Sequence, residues 1–249
     1  MLKAFDDGRI FGATSGSGPP WILALHGWRR TQRDWADVLE GLDAIALDLP
    51  GFGATPLPTE PWGSAEYAKA VGAVLDQEFG GPAVVIGHSF GGRVAAHLAA
   101  THPDRVAAAV LTGVPNLVAL PGTSSKRPPL QYRAARALNR RGLLSDPQMD
   151  RLRRRRGSAD YLAATGVLRD ILVTVTNEVY EEPLRASICP IELVWGDNDD
   201  QAPVEVARAA AEMLGSRANL LVIPAAGHFT PMTAPDALRD AILRHRPAA

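Results

Sequence analysis

The stretch Val84-Val85-Ile86-Gly87-His88-Ser89-Phe90-Gly91-Gly92-Arg93-Val94-Ala95-Ala96 constrains this chain more than any other. A β-branched apolar run stops at a glycine, a serine follows two residues later, and an alanine-rich segment starts at once. That order predicts a strand, a sharp turn and a helix. Gly87, Ser89 and Gly91 fit the pattern G-x-S-x-G, whose serine sits at the tip of a strained turn with its hydroxyl pushed out of the sheet. Small residues are needed where strand and helix backbones pass too close for a Cβ. A helix starting at the serine also aims free N–H groups, and the positive end of its dipole, at the place where an oxyanion would form. The five residues alone also occur in plain glycine-rich turns; the strand before and the helix after favour a nucleophile.

The rest of the chain repeats the same alternation. Leu2 to Thr14, around Asp6-Asp7-Gly8, reads as an antiparallel hairpin at a sheet edge. Trp21 to Leu25 is a continuous apolar run, as expected of a parallel strand covered on both faces, and ends in His26-Gly27-Trp28. Thr31 is placed to cap a helix through Leu39, Ala44 to Leu47 gives another buried strand, and Ser64 is placed to cap a helix from Ala65 to Phe79. Strands follow at Val106 to Leu111, Ile191 to Trp195 and Leu220 to Ile223, with helices at Val204 to Leu214 and Pro235 to His245. Strands alternating with helices predict a doubly wound α/β sheet.

Between about Pro115 and Ser187 the alternation fails. Pro and Ser come first, Leu130 to Arg141 and Pro147 to Arg156 read as short basic helices, and Ser158 to Glu182 carries apolar residues at mixed spacing. We read residues 115–187 as an inserted helical cap on a core of residues 1–114 and 188–249, because long insertions in compact domains are usually lids or binding elements. This segment has 13 basic and 7 acidic side chains. The excess would suit an anionic substrate or a partner, but the chain uses Arg far more than Lys throughout, so solvated arginine-rich helix faces are the simpler account, the run Arg153 to Arg156 included.

A formal net charge of -1 on 249 residues argues against nucleic acid as a partner. Cys189 is the single cysteine, which excludes an intrachain disulfide and a cysteine-based metal site. Acidic residues arrive before any apolar run at the start, and no run nears the ~20 residues of a membrane span. The expectation is a cytoplasmic protein with no membrane partner.

A serine hydroxyl needs a base to take its proton, and that base needs a third group to fix its tautomer. Loops at the carboxyl ends of parallel strands gather along one edge of the sheet, and Ser89, Asp199 and His228 each follow such a strand. His228, in a glycine-containing loop after the last strand, is the best base. His26 and His88 flank the site and read as structural, while His97, His102 and His245 fall on expected helices. Asp197, Asp199 and Asp200 share one loop; Asp199 is favoured as the acid, and the other two remain open as turn formers or helix N-terminal charges. The loop after Leu111 has no carboxylate. No histidine pair has metal-ligand spacing, so no metal is expected. The backbone N–H of Phe90, and one from the loop after Leu25, read as that of Trp28, would form the oxyanion hole, with the Trp28 and Phe90 side chains lining an apolar pocket.

Taken together, His26-Gly27-Trp28, Asp48-Leu49-Pro50-Gly51-Phe52-Gly53, Gly87 to Gly92, Gly196-Asp197-Asn198-Asp199 and Gly227-His228 resemble the α/β-hydrolase fold superfamily over nearly the whole chain outside the cap. The resemblance implies a mostly parallel eight-stranded sheet and a Ser-Asp-His triad without a cofactor. It selects Asp199 through the family pattern G-x-x-D and Trp28 as the residue after His-Gly. Asp200 departs from the pattern, since many relatives carry proline there. Serine rather than aspartate at the elbow separates the chain from the dehalogenase and epoxide hydrolase branches. The function expected is hydrolysis of a small carboxylic ester or related acyl substrate through an acyl-enzyme. The alternatives are a carbon–carbon bond hydrolase or lyase using the same triad for proton transfer, and a non-catalytic ligand receptor of the same fold.

Overall fold

A computed structural model of the protein describes residues 2–120, 130–145, 148–149 and 159–247. Eight strands form one sheet: β1 (Leu2–Phe5), β2 (Ile10–Ser15), β3 (Ile22–Leu25), β4 (Ala44–Asp48), β5 (Ala83–His88), β6 (Val106–Thr112), β7 (Ile191–Gly196) and β8 (Ala218–Ile223). Their order is β1-β2-β4-β3-β5-β6-β7-β8. The expected edge hairpin is present as β1 and β2, antiparallel to each other, and β2 is also antiparallel to β4. All other pairs are parallel.

The unbroken apolar runs are explained by a sheet covered on both sides. Leu23, Leu25, Ile45, Leu47, Val85 and Leu111 face one layer, made of α1 (Ser64–Glu78), α2 (Phe90–Thr101) and α7 (Val204–Leu214). Ile22, Ala24, Ala44, Ala46, Val84 and Ile86 face the other, made of Trp35, Val38, Leu39 and α8 (Pro235–Leu243). Successive side chains point to opposite faces, so the central strands β3, β4, β5 and β6 are apolar along nearly their whole length.

Two expected helices differ in detail. The segment after Thr31 is only a 3₁₀ turn, Gln32–Trp35, followed by further turns. Trp35, Val38, Leu39 and Leu42 have helical spacing, but Asp48 takes the Gln32 N–H at 2.8 Å and Arg30 grips Asp34 through two nitrogens, which tightens the first turn. Nor does Ser64 cap α1. Gly63 is the cap, with its N–H on the Glu66 carboxylate at 2.8 Å, while the Ser64 hydroxyl meets the Tyr180 hydroxyl at 3.0 Å.

Within residues 115–187 the helices described are α3 (Leu130–Arg140), α4 (Ala159–Ala163), α5 (Gly166–Thr176) and α6 (Glu181–Ala186). Most of the helix expected at Pro147 to Arg156, with Arg153 to Arg156, lies outside the described residues. The end of the segment is bolted to the core, with Ile171, Val175, Tyr180 and Leu184 buried in the α1–α2 layer. Arg93 of α2 is buried, donates to the Val175 carbonyl and lies 5.6 Å from the Tyr180 ring centroid. Tyr180 in turn donates to Glu178 at 2.7 Å, and Glu178 accepts the Ser64 N–H. Among the described residues no helix is long and apolar enough to cross a membrane.

Candidate active site

The chain adds β4 on one side of β3 and then β5 on the other, so the strand order reverses at β3. A crevice opens at the carboxyl ends of the strands where this happens. Leu25 pairs with Gly87 and Thr112 with His88, which sets the loops after β3 and β6 on either side of Ser89.

Ser89 has φ 50° and ψ -111°, a left-handed backbone at the tip between β5 and α2. Its N–H donates to the Thr112 carbonyl at 2.9 Å, and its own carbonyl accepts from Gly92 and Arg93, which starts the helix. The glycines around it answer a steric demand. A Cβ on Gly91 would collide with the Leu25 and His26 carbonyls, and one on Gly87 with the Gly91 backbone.

His228 and Asp199 meet as a buried pair: Nδ1 lies 2.8 Å from Oδ2 and 3.0 Å from Oδ1. Since the carboxylate only accepts, Nδ1 carries the proton and Nε2 keeps a free lone pair. Asp199 is itself fixed, with Oδ1 accepting the N–H groups of Gln201 at 2.9 Å and Ala202 at 2.8 Å. Beneath the loop, Trp195 Nε1 donates to the Ala202 carbonyl at 2.6 Å. Asp197 and Asp200 are exposed, so of the three carboxylates in this loop Asp199 alone is buried against His228.

Ser89 and His228 line one cleft of about 290 Å³, together with Trp28, Arg29, His88, Asp160, Gln201 and Phe229. Arg29 of the β3 loop and Asp160 of α4 face each other at 3.6 Å at its mouth. The two aromatic side chains expected in the pocket part company. Trp28 lines the cleft, whereas Phe90 is 2% exposed and packs edge-on between Trp28 and Tyr67, at 5.4 and 4.9 Å between centroids. Phe90 opens α2, so its N–H is among those a helix cannot satisfy internally.

Three contributions lay beyond the sequence pattern. Gly113 follows β6 with φ 57°, and a Cβ there would stand 3.2 Å from Asp199 Oδ2 and from His228 Nδ1. The loop that lacks a carboxylate instead makes room for one. Gly113→Ala is expected to lower kcat about 10²-fold by displacing the pair and to cost about 1–2 kcal/mol through the left-handed backbone. Steady-state kinetics beside thermal melts would detect both.

The other two are the particular partners of His26 and His88, whose flanking, structural places the sequence had already indicated. His26 donates Nδ1–H to the Gly27 carbonyl at 2.7 Å and accepts the Leu49 N–H on Nε2 at 2.9 Å, joining the β3 and β4 loops. His88 Nε2 lies 2.8 Å from the His228 carbonyl. Burial lowers the pKa of both; burial and then the neighbouring His228 push His88 down to about 3. A folded pKa below the free value of about 6.5 means that this stability is fully present above that pH and is lost as pH falls through the folded value. Melting temperature should therefore hold near neutrality and decline from about pH 6.5 toward about pH 3, with a shallower decline in His88→Gln.

Residues 22–241 match the model of the alpha/beta hydrolase family. The chain belongs to that family. It is 45% identical over 98 residues to lipase LipV of Mycobacterium tuberculosis, covering 38% of this chain and 37% of that one. It is 38% identical over 95 residues to a pimeloyl-[acyl-carrier protein] methyl ester esterase of Neisseria meningitidis, covering 36% and 35%. The matched stretch thus spans little more than a third of these curated relatives. A thermophilic esterase from Thermogutta terrifontis, with malate bound, superposes with a TM-score of 0.68 at 22% identity over 98% of this chain and 97% of that one, a likeness of fold.

Proposed function

We propose that this protein is a serine hydrolase that cleaves small carboxylic esters or related acyl compounds through an acyl-enzyme. The observation that carries the reading is the left-handed Ser89 lining the same cleft as His228, whose far nitrogen is held by a buried Asp199. Ser89 Oγ attacks the carbonyl carbon while His228 Nε2 takes the hydroxyl proton. Asp199 stabilises the imidazolium and keeps the tautomer. The N–H groups of Phe90 and Trp28 receive the oxyanion, each worth roughly 3 kcal/mol in the transition state. Collapse expels the alcohol, protonated by His228, and a water activated by the same imidazole releases the acid. No cofactor enters the cycle.

The relatives named as a lipase and a methyl ester esterase favour ester chemistry over the carbon–carbon and receptor alternatives. A cleft of about 290 Å³ with Arg29, Asp160 and Gln201 on its walls favours a short acyl group. Residues 115–187 act as a cap in this reading, and among the described residues Asp160 is where the cap reaches the cleft.

A fluorophosphonate should label Ser89 of the wild type, located by peptide mass spectrometry. p-Nitrophenyl esters should give a burst of acyl-enzyme, with acetyl and butyryl ahead of octanoyl by about tenfold or more in kcat/KM. Absence of both label and burst would refute the hydrolase reading, and preference for octanoyl would refute the small substrate.

A further inference from the structure

His88 is 2% exposed although it lies against the cleft. A carbonyl can only accept, so the contact with the His228 oxygen places the proton on Nε2 and leaves Nδ1 a bare lone pair. That Nδ1 is buried and has no hydrogen-bond partner among the described residues. It stands in the space left by Gly27, where a Cβ would come within 2.8 Å of it and 3.5 Å of the Ser89 Cβ. The ring also lies 4.8 Å from the His228 ring and 6.2 Å from that of Phe229, between centroids.

Packing alone does not explain a histidine here. A phenyl ring would fill the same volume without burying an unmet lone pair, whose desolvation is unfavourable. What histidine adds is the Nε2–H on the His228 carbonyl. Because His88 is the last residue of β5 and immediately precedes Ser89, the clamp on the base loop and the nucleophile are carried by neighbouring residues at the end of one strand.

We propose that His88 is a positioning residue of the reaction: its Nε2–H ties the His228 backbone to β5 and so sets the imidazole against Ser89, while its ring braces the Gly27 loop. The proposal rests on the serine hydrolase reading. Asp199 fixes the far side of the imidazole, and the loop bond from Asn198 N–H to the Ala226 carbonyl fixes its approach. His88 supplies the remaining constraint, from the nucleophile's side. Its depressed basicity fits this role. His228, Asp199 and Asp34 are the ionisable groups facing it, and burial with His228 outweighs the two carboxylates. The ring therefore stays neutral while His228 takes the proton of Ser89, and two adjacent imidazolium charges do not form.

The test compares His88→Phe, which keeps a ring and removes the donor, with His88→Gln, whose amide returns an N–H at a reach close to that of Nε2. Fluorophosphonate labelling of wild-type Ser89 is measured first, then kcat, KM, labelling rate and melting temperature for each variant. Expected for His88→Phe is a loss of about 10²-fold in kcat and in labelling rate with KM and melting temperature nearly unchanged, and substantial recovery of both rates in His88→Gln. Should the Phe variant not fold, His88→Met, also without a donor, takes its place. Wild-type kcat in the donor-less variant, a Gln variant no better than it, or activity lost only in step with folded protein would overturn the proposal. Those results with labelled wild type leave the hydrolase reading standing; an unlabelled wild type removes both.

Discussion

Replacing Ser89 by alanine is expected to reduce kcat by about 10⁶-fold and to abolish fluorophosphonate labelling, while melting temperature changes by only a few degrees. The reasoning begins with the backbone. At φ 50° Ser89 already carries the strain of a left-handed residue with a Cβ, and alanine inherits the same strain without adding to it. The Ser89 N–H bond to the Thr112 carbonyl, and the bonds from Gly92 and Arg93 to the Ser89 carbonyl, use main-chain atoms that alanine keeps. Only the oxygen is lost. A Ser89→Ala protein that still forms a phosphonyl adduct, or that turns over esters at the wild-type rate, would place the nucleophile elsewhere.

Asp199→Asn is expected to lower kcat by about 10⁴-fold with little change in KM. Here the physics is orientational. Oδ1 of Asp199 accepts from the Gln201 and Ala202 N–H groups, so an asparagine must turn its carbonyl oxygen toward them and its NH₂ toward His228. Nδ1 then becomes the acceptor, the proton moves to Nε2, and the imidazole presents a donor where a base is required. Fold and substrate contacts survive, so the loss falls on the chemical step. Stopped-flow measurement of the acylation burst would separate the two. Full activity in this variant would reopen the role of Asp197 and Asp200, which their exposure argues against.

How much of this could be seen in the amino-acid order differs from place to place. The strands around Ile22, Ala44, Val84, Val106 and Ile191 were legible because a sheet covered on both faces favours apolar residues at nearly every position. The elbow was legible because two backbones in contact admit only glycine at Gly87 and Gly91. The turn after Thr31 was not, since the spacing of Trp35, Val38, Leu39 and Leu42 satisfies a helix equally well, and the competing bonds come from Asp48, distant in sequence. Ser64 has the right type for a cap, yet it is drawn into a contact with Tyr180, near the end of residues 115–187.

The sequence by itself determined the strand-turn-helix at Ser89, the alternation that makes a doubly wound sheet, and the short set of residues from which a triad could be assembled. These are local matters of steric room and periodicity. Asp199 was already selected by its place in the family pattern; only the tertiary structure decided that it is buried against His228 with Gly113 giving way to the pair, that the Phe90 ring belongs to the core, and that His88 Nε2 meets the His228 carbonyl. Each of those depends on which side chains face each other across strands far apart in the chain, and burial and direction at a strand end are set by packing from outside the segment.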